Sequence, residues 1–167
     1  MSINVSRYDV IVSFRTLKDL QDQMKEDGLA ENDLKNIFTE THSGLLERAI
    51  PSRKWDIANY LLDLYVPLNV VTVDGYNEFH IIAPHIREIP AVKIANRLLD
   101  GGVDLKQIDK KYKNTAVFSL TLEMIRRRND MNLAFLKRCF DKNEGFYEKN
   151  KVGYCAMDLL ERAEIKL

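Results

Sequence analysis

Three histidines and two cysteines are the side chains of this sequence best equipped for acid–base, nucleophilic or metal chemistry. His42, His80 and His85 have no zinc-finger or one-turn helical spacing with either cysteine, so the pattern gives no metal centre. Cys139 lies in the run Phe135-Leu136-Lys137-Arg138-Cys139-Phe140 and reads as a small core residue. Cys155 would need a neighbouring base to act as a nucleophile, and none stands at a recognisable spacing. A hydrolase or transferase built on Cys155 or His85 is the lesser alternative; the expectation is a protein with no catalytic residue and no cofactor. Gly101-Gly102 is no phosphate loop, because no Gly-Lys-Ser/Thr follows it. Arg126-Arg127-Arg128 is the main basic run, and it reads either as a solvated loop or as a contact for an anion or acidic partner.

The elements that must position these residues are short and helical. Asp74-Gly75 supplies a turn, since glycine tolerates positive φ, and Asn77 can cap the helix that follows. Phe79, Ile82 and Ala83 then fall on one helical face. Pro84 and Pro90 bracket a connection to a second helix, from about Ala91 to Asp100. Val92, Ile94, Ala95, Leu98 and Leu99 form its apolar face, and Gly101-Gly102 stops it in a left-handed conformation. Leu45 and Ala49, then Trp55, Ile57, Ala58, Leu61 and Leu62, predict an earlier hairpin of the same kind. A third unit opens at Asn114-Thr115-Ala116-Val117-Phe118, with Leu133, Phe135, Leu136 and Phe140 on its second helix. A fourth opens at Lys151-Val152-Gly153-Tyr154-Cys155 and supplies only a half unit. The spacing is 34 residues from Leu45 to Phe79, 38 from Phe79 to Val117 and 40 from Val117 to Met157. Ahead of these units, Phe14, Leu17, Leu20 and Met24 share a helical face that ends at Asp27-Gly28. Residues Leu29 to Phe38 read as a second short helix, and residues 8–38 are expected to cap the stack.

Composition narrows the function. A chain of 167 residues fits one domain, and 46% apolar with 30% charged residues allows both a core and a wetted surface. The 25 basic residues balance the 25 acidic ones, which argues against a nucleic-acid binder. The longest uncharged apolar stretch, around Leu64 to Val73, is too short for a bilayer and contains Pro67 and Asn69. Met1 to Val5 lack the basic segment and apolar run of a secretory signal, and two cysteines make no disulfide framework. The expectation is a reduced, cytoplasmic, monomeric protein that contacts neither membrane nor nucleic acid.

In these turns and stops the sequence resembles the ankyrin repeat family. That family's pattern is roughly Asp-x-x-Gly-x-Thr-Pro-Leu-His-x-Ala-Ala, with a second helix ending in Leu-Leu and Gly-Ala-Asp-Val-Asn. Gly75, Asn77, Phe79, His80, Ala83, Leu98, Leu99, Gly102, Asp104 and Leu105 match it. So do Leu45, Ala49, Leu61, Leu62, Leu68, Asn69, Thr115, Val117 and Gly153. Every copy is degenerate, and a generic helical-hairpin array is the competing reading. The resemblance implies an all-α fold: an α-solenoid of about three and a half helix-turn-helix repeats over residues 39–167, behind the N-terminal helical cap. It also implies that His80 hydrogen-bonds a turn and that Cys155 replaces a threonine at a helix start.

In that architecture, partners meet the turn fingers and the inner helix ends. Carried over by position, the fingers hold Glu40, His42, Val73, Asp74, Tyr76, Lys111, Tyr112, Asn114, Lys151, Val152 and Tyr154. The helix ends hold Ile50, Pro51, Pro84, His85, Leu122 and Glu123. The expected partner-binding set is Asp74, Tyr76, His85, Lys111, Tyr112, Asn114, Glu123, Lys151 and Tyr154. Tyr76, Tyr112 and Tyr154 recur in successive fingers, as binding anchors or as packing between turns. Lysines collect at 110, 111, 113, 149 and 151, and acids at Glu26-Asp27, Glu31 and Asp33, so the surface is polarised despite its neutral total. The expected function is non-catalytic recognition of another protein, as in a small inhibitor or immunity-type protein, with an adaptor or regulatory subunit as the alternative.

Overall fold

The computed structural model describes residues 3–167, and the regular elements among them are helices. Helix α1 runs Val5–Phe14 and α2 runs Leu17–Glu26. A 3-10 turn at Glu31–Asn36 follows. The next helices are α3 (Leu45–Ala49), α4 (Trp55–Asp63) and α5 (Glu78–Ile82). A 3-10 turn at Ala83–His85 extends α5 and leads to α6 (Ile89–Asp100). The last three are α7 (Ala116–Arg126), α8 (Asp130–Asp141) and α9 (Ala156–Arg162). Among the described residues the only β-type pairings are two isolated bridges, Phe38 with Gly44 and Ile108 with Thr115. No helix among them is long and apolar enough to cross a membrane.

The helices form two rows. Helix α1 packs on α3, α3 on α5, α5 on α7 and α7 on α9, while α4 packs on α6 and α6 on α8. The core lies between the rows. Leu46, Phe79 and Val117 enter it from one side, and Ile57, Leu61, Ile94, Leu98 and Phe135 from the other, all essentially fully buried. The Phe79 and Phe135 rings meet at 6.2 Å, tying α5 to α8. Each such side chain contributes about 1.5–3 kcal/mol by leaving water, so helices as short as α3 and α5 are held by packing and not by their own propensity.

A fixed local geometry repeats along the chain. Gly44, Asn77, Thr115 and Cys155 stand at the N-caps of α3, α5, α7 and α9. Two residues before each, His42, Gly75, Lys113 and Gly153 have φ between 57° and 86°. Each turn, or finger, is closed by a backbone bond: Thr39 N–H to Ser43, Thr72 to Tyr76, Asp109 to Asn114 and Asn150 to Tyr154. Successive fingers are bonded as well. Val73 N–H donates to Thr41 O at 3.3 Å, Lys110 N–H to Asp74 O at 2.9 Å, and Lys151 N–H to Tyr112 O at 3.0 Å. Helices α2, α4, α6, α8 and α9 all stop the same way, with Gly28, Tyr65, Gly102, Asn143 and Glu164 left-handed just past the C-cap.

Several sequence expectations shift. The N-cap register places Leu46, not Leu45, opposite Phe79, so the first spacing is 33 residues. Helix α6 begins at Ile89, because Pro90 fits a first turn whose N–H has no partner to lose. Only Gly102 of the glycine pair is left-handed. The N-terminal region is not one helix through Leu17 followed by another at 29–38. Thr16 interrupts it by capping α2, with Asp19 returning a bond to the Thr16 amide. Phe14 is left 74% exposed beyond the core face.

Candidate functional site

An open groove of about 570 Å³ runs along the inner row where the fingers meet α3, α5 and α7. Its floor and walls come from three successive units. Thr41, Ser43, Glu47 and Pro51 come from the first, Asp74, Tyr76, His80, Ile81 and Pro84 from the second, and Asp109, Tyr112, Asn114, Leu122 and Glu123 from the third.

The middle of the groove is braced by His80. Its Nε2 lies 3.3 Å from the Asn114 carbonyl oxygen. Its Nδ1 lies 3.0 Å from Asn77 Oδ1 and 3.3 Å from the Asn77 amide nitrogen. Asn77 in turn donates through Nδ2 to Asp104 O at 2.7 Å. Burial holds the His80 pKa below its ordinary value, which keeps the ring neutral in this role. The Tyr76 ring rests 5.4 Å from the imidazole. In the next finger Asp109 is buried and accepts from the Tyr112 and Asn114 amides at 2.6 and 3.0 Å, fixing the finger that presents Tyr112.

Glu47 is the least expected member. Its Oε2 accepts from the Gly44 amide at 2.7 Å, while Oε1 is buried with no partner. Burial, reinforced by Glu78 nearby, pushes its carboxyl up to about 8. Glu78 shares the condition: Oε1 accepts from Val70 N–H at 3.2 Å, Oε2 is an orphan, and burial raises it to about 7.

The groove gathers Asp74, Tyr76, Tyr112, Asn114 and Glu123 from the residues singled out in the sequence. Glu123 is paired there with Arg126 at 2.8 Å. The other four lie outside it. Lys111 stands on the rim with Nζ 4.9 Å from the centre of the Tyr112 ring. Lys151 donates from Nζ to Lys111 O at 2.6 Å. Tyr154 lies beneath the Arg162 guanidinium, 4.4 Å from its ring centre. His85 sits in the 3-10 turn after α5, 3.6 Å from Glu88 and edge-on to Trp55 at 5.9 Å. Glu47 escaped the sequence reading. A glutamate three residues after Gly44 signals a cap, and nothing in the sequence says that its second oxygen will be buried alone.

Both cysteines are free and buried. Cys139 is fully buried and its thiol is pushed up to about 12. Cys155 is buried at the start of α9, its amide donating to Asp158 at 2.8 Å. Among the described residues no three His, Cys, Asp or Glu side chains are placed to hold a metal ion. No protein-family model matches the chain, and no curated protein is significantly similar to it in sequence.

Proposed function

We propose that this chain is an ankyrin-type repeat module that recognises another protein through the groove and its fingers, without catalysis. The observation that carries the reading is the repeated finger geometry: four turns in one register, bonded backbone to backbone, presenting Tyr76 and Tyr112 beside a groove that three units build together. A stack of this kind gives a rigid surface, and rigid tyrosines supply contact area with few rotors to immobilise. The expected family histidine role also has a counterpart in the His80 bond to the next unit's Asn114. In this reading the chain works by occupancy, as an inhibitor of the immunity type does.

Affinity capture tests it, comparing the tagged wild type with a Tyr76→Ala/Tyr112→Ala/Tyr154→Ala variant in the native lysate. A stoichiometric partner kept by the wild type and lost by the folded variant supports the reading. Addition of the chain to that partner's own assay then separates inhibitor from adaptor. A partner retained equally by both proteins removes the tyrosine face from the interface.

A further inference from the structure

The groove is lined by four carboxyl groups, Glu47, Asp74, Asp109 and Glu123, and by no lysine or arginine. Two of these are already committed. Asp109 is satisfied by backbone amides, and Glu123 shares its charge with Arg126, which is itself largely exposed and free to swing away. Asp74 is exposed and forms no ion pair among the described residues. Glu47, also among the lining residues, is 3% exposed and keeps a buried oxygen with no hydrogen-bond partner. A buried, unsatisfied carboxyl oxygen costs free energy that an incoming donor would recover. Tyr76 and Tyr112 flank this acidic strip, and tyrosine faces attract cations, as Lys111 over Tyr112 already illustrates from the rim. The nearby histidine, His80, is held neutral and offers no competing positive charge.

We propose that the groove receives an arginine or lysine side chain carried on an extended segment of the partner protein, flanked by Tyr76 and Tyr112 and neutralised by Asp74 and Glu123. This rests on the protein-recognition reading and adds the chemistry of what is recognised. A guanidinium fits best, because its planar fork can serve two carboxylates at once and stack on a ring.

The test uses fluorescein-labelled octapeptides in which alanine alternates with arginine, glutamine or glutamate, titrated with the full chain and read by anisotropy at low salt. The arginine peptide is expected to bind at least about tenfold tighter than the glutamine peptide, and the glutamate peptide not at all. Asp74→Asn/Glu123→Gln should weaken the arginine peptide about tenfold. Asp22→Asn/Glu26→Gln on α2, which removes as much charge elsewhere, should leave it unchanged. Equal binding of the glutamine peptide, no binding of the arginine peptide, or equal loss in the α2 control overturns the proposal. If the tyrosine variant still loses its captured partner while the arginine peptide fails, protein recognition stands and the cationic side chain falls.

Discussion

The guanidinium of Arg97 on α6 holds the carboxylate of Asp63 on α4 at 2.6 Å, and Arg138 on α8 holds Asp100 on α6 at the same distance one unit later. Each arginine also reaches an asparagine one turn earlier on the same helix as its aspartate, Asn59 for Arg97 and Asn96 for Arg138. The outer row is thus stitched by a repeated Asn–Asp–Arg grip.

This grip has unequal parts. The Asp63 carboxylate is largely exposed, so water and salt screen its charge, whereas Arg97 also bonds the Asn59 carbonyl oxygen and side chain. Arg97→Ala is expected to cost about 1 kcal/mol in urea unfolding, and Asp63→Ala less than half of that. Equal losses would mean that the ion pair alone carries the contact.

Gly75 and Gly153 occupy equivalent turns with nearly equal φ, yet their surroundings differ. A Cβ on Gly75 would lie 2.8 Å from Ile108 O and 3.0 Å from Lys110 N, while nothing lies within 4 Å of one on Gly153. Gly153→Ala should lose about 1 kcal/mol from the left-handed backbone alone. Gly75→Ala should lose clearly more, because backbone of the next finger must move. Thermal melts of the two variants give the comparison directly.

Thr115 caps α7 by accepting from Phe118 N–H at 3.1 Å and donates its hydroxyl proton to Gly145 O at 3.1 Å. Thr115→Val keeps the shape and removes both bonds, with an expected loss of about 2 kcal/mol. Thr115→Ser keeps both and should recover most of it. A serine variant no more stable than the valine one would assign the residue to packing.

Glu47 links stability to pH in an unusual direction. Its folded carboxyl sits near 8 against an ordinary 4.5, so between those values the folded chain binds a proton that the unfolded chain has released. Stability therefore falls as pH rises through this window. Glu78, raised to about 7, adds to the same slope, while His80, lowered below 6.5, opposes it on the acid side. Glu47→Gln should remove part of the slope and gain on the order of 1 kcal/mol or more at pH 8.5, with little gain at pH 5. Urea midpoints at the two pH values decide it; an equal change at both would show that Glu47 is ionised in the fold.

The helices were legible where one residue type forces one conformation. Gly75, Gly102 and Gly153 mark left-handed positions in the sequence, and the helices they punctuate lie close to where the spacing puts them. His42, Lys113, Tyr65, Asn143 and Glu164 adopt the same conformation, and their side chains give no comparable signal. The first unit slipped by one residue because Leu45 and Leu46 are both apolar and Gly44 offers no capping side chain to fix the register. Phe14 misled for a related reason, since an apolar residue on the right helical phase suggests burial and the break at Thr16 lies between it and that core. Within the groove, Tyr76 and Tyr112 were readable from their recurrence in successive fingers, and Asp74 and Asn114 only from the finger positions that the resemblance supplied. The orphan oxygen of Glu47 depends on how α3 packs, which no spacing encodes.

The bonds between fingers join peptide groups: Val73 to Thr41, Lys110 to Asp74 and Lys151 to Tyr112. A backbone amide is present whatever side chain its residue carries, proline excepted, so these joints do not depend on the exposed side chains at the tips. The exposed residues there can therefore change identity while the scaffold stays assembled. Exposed side chains such as Val73, Asp74 and Tyr112 could thus be exchanged for others with the stability of the stack left largely unchanged.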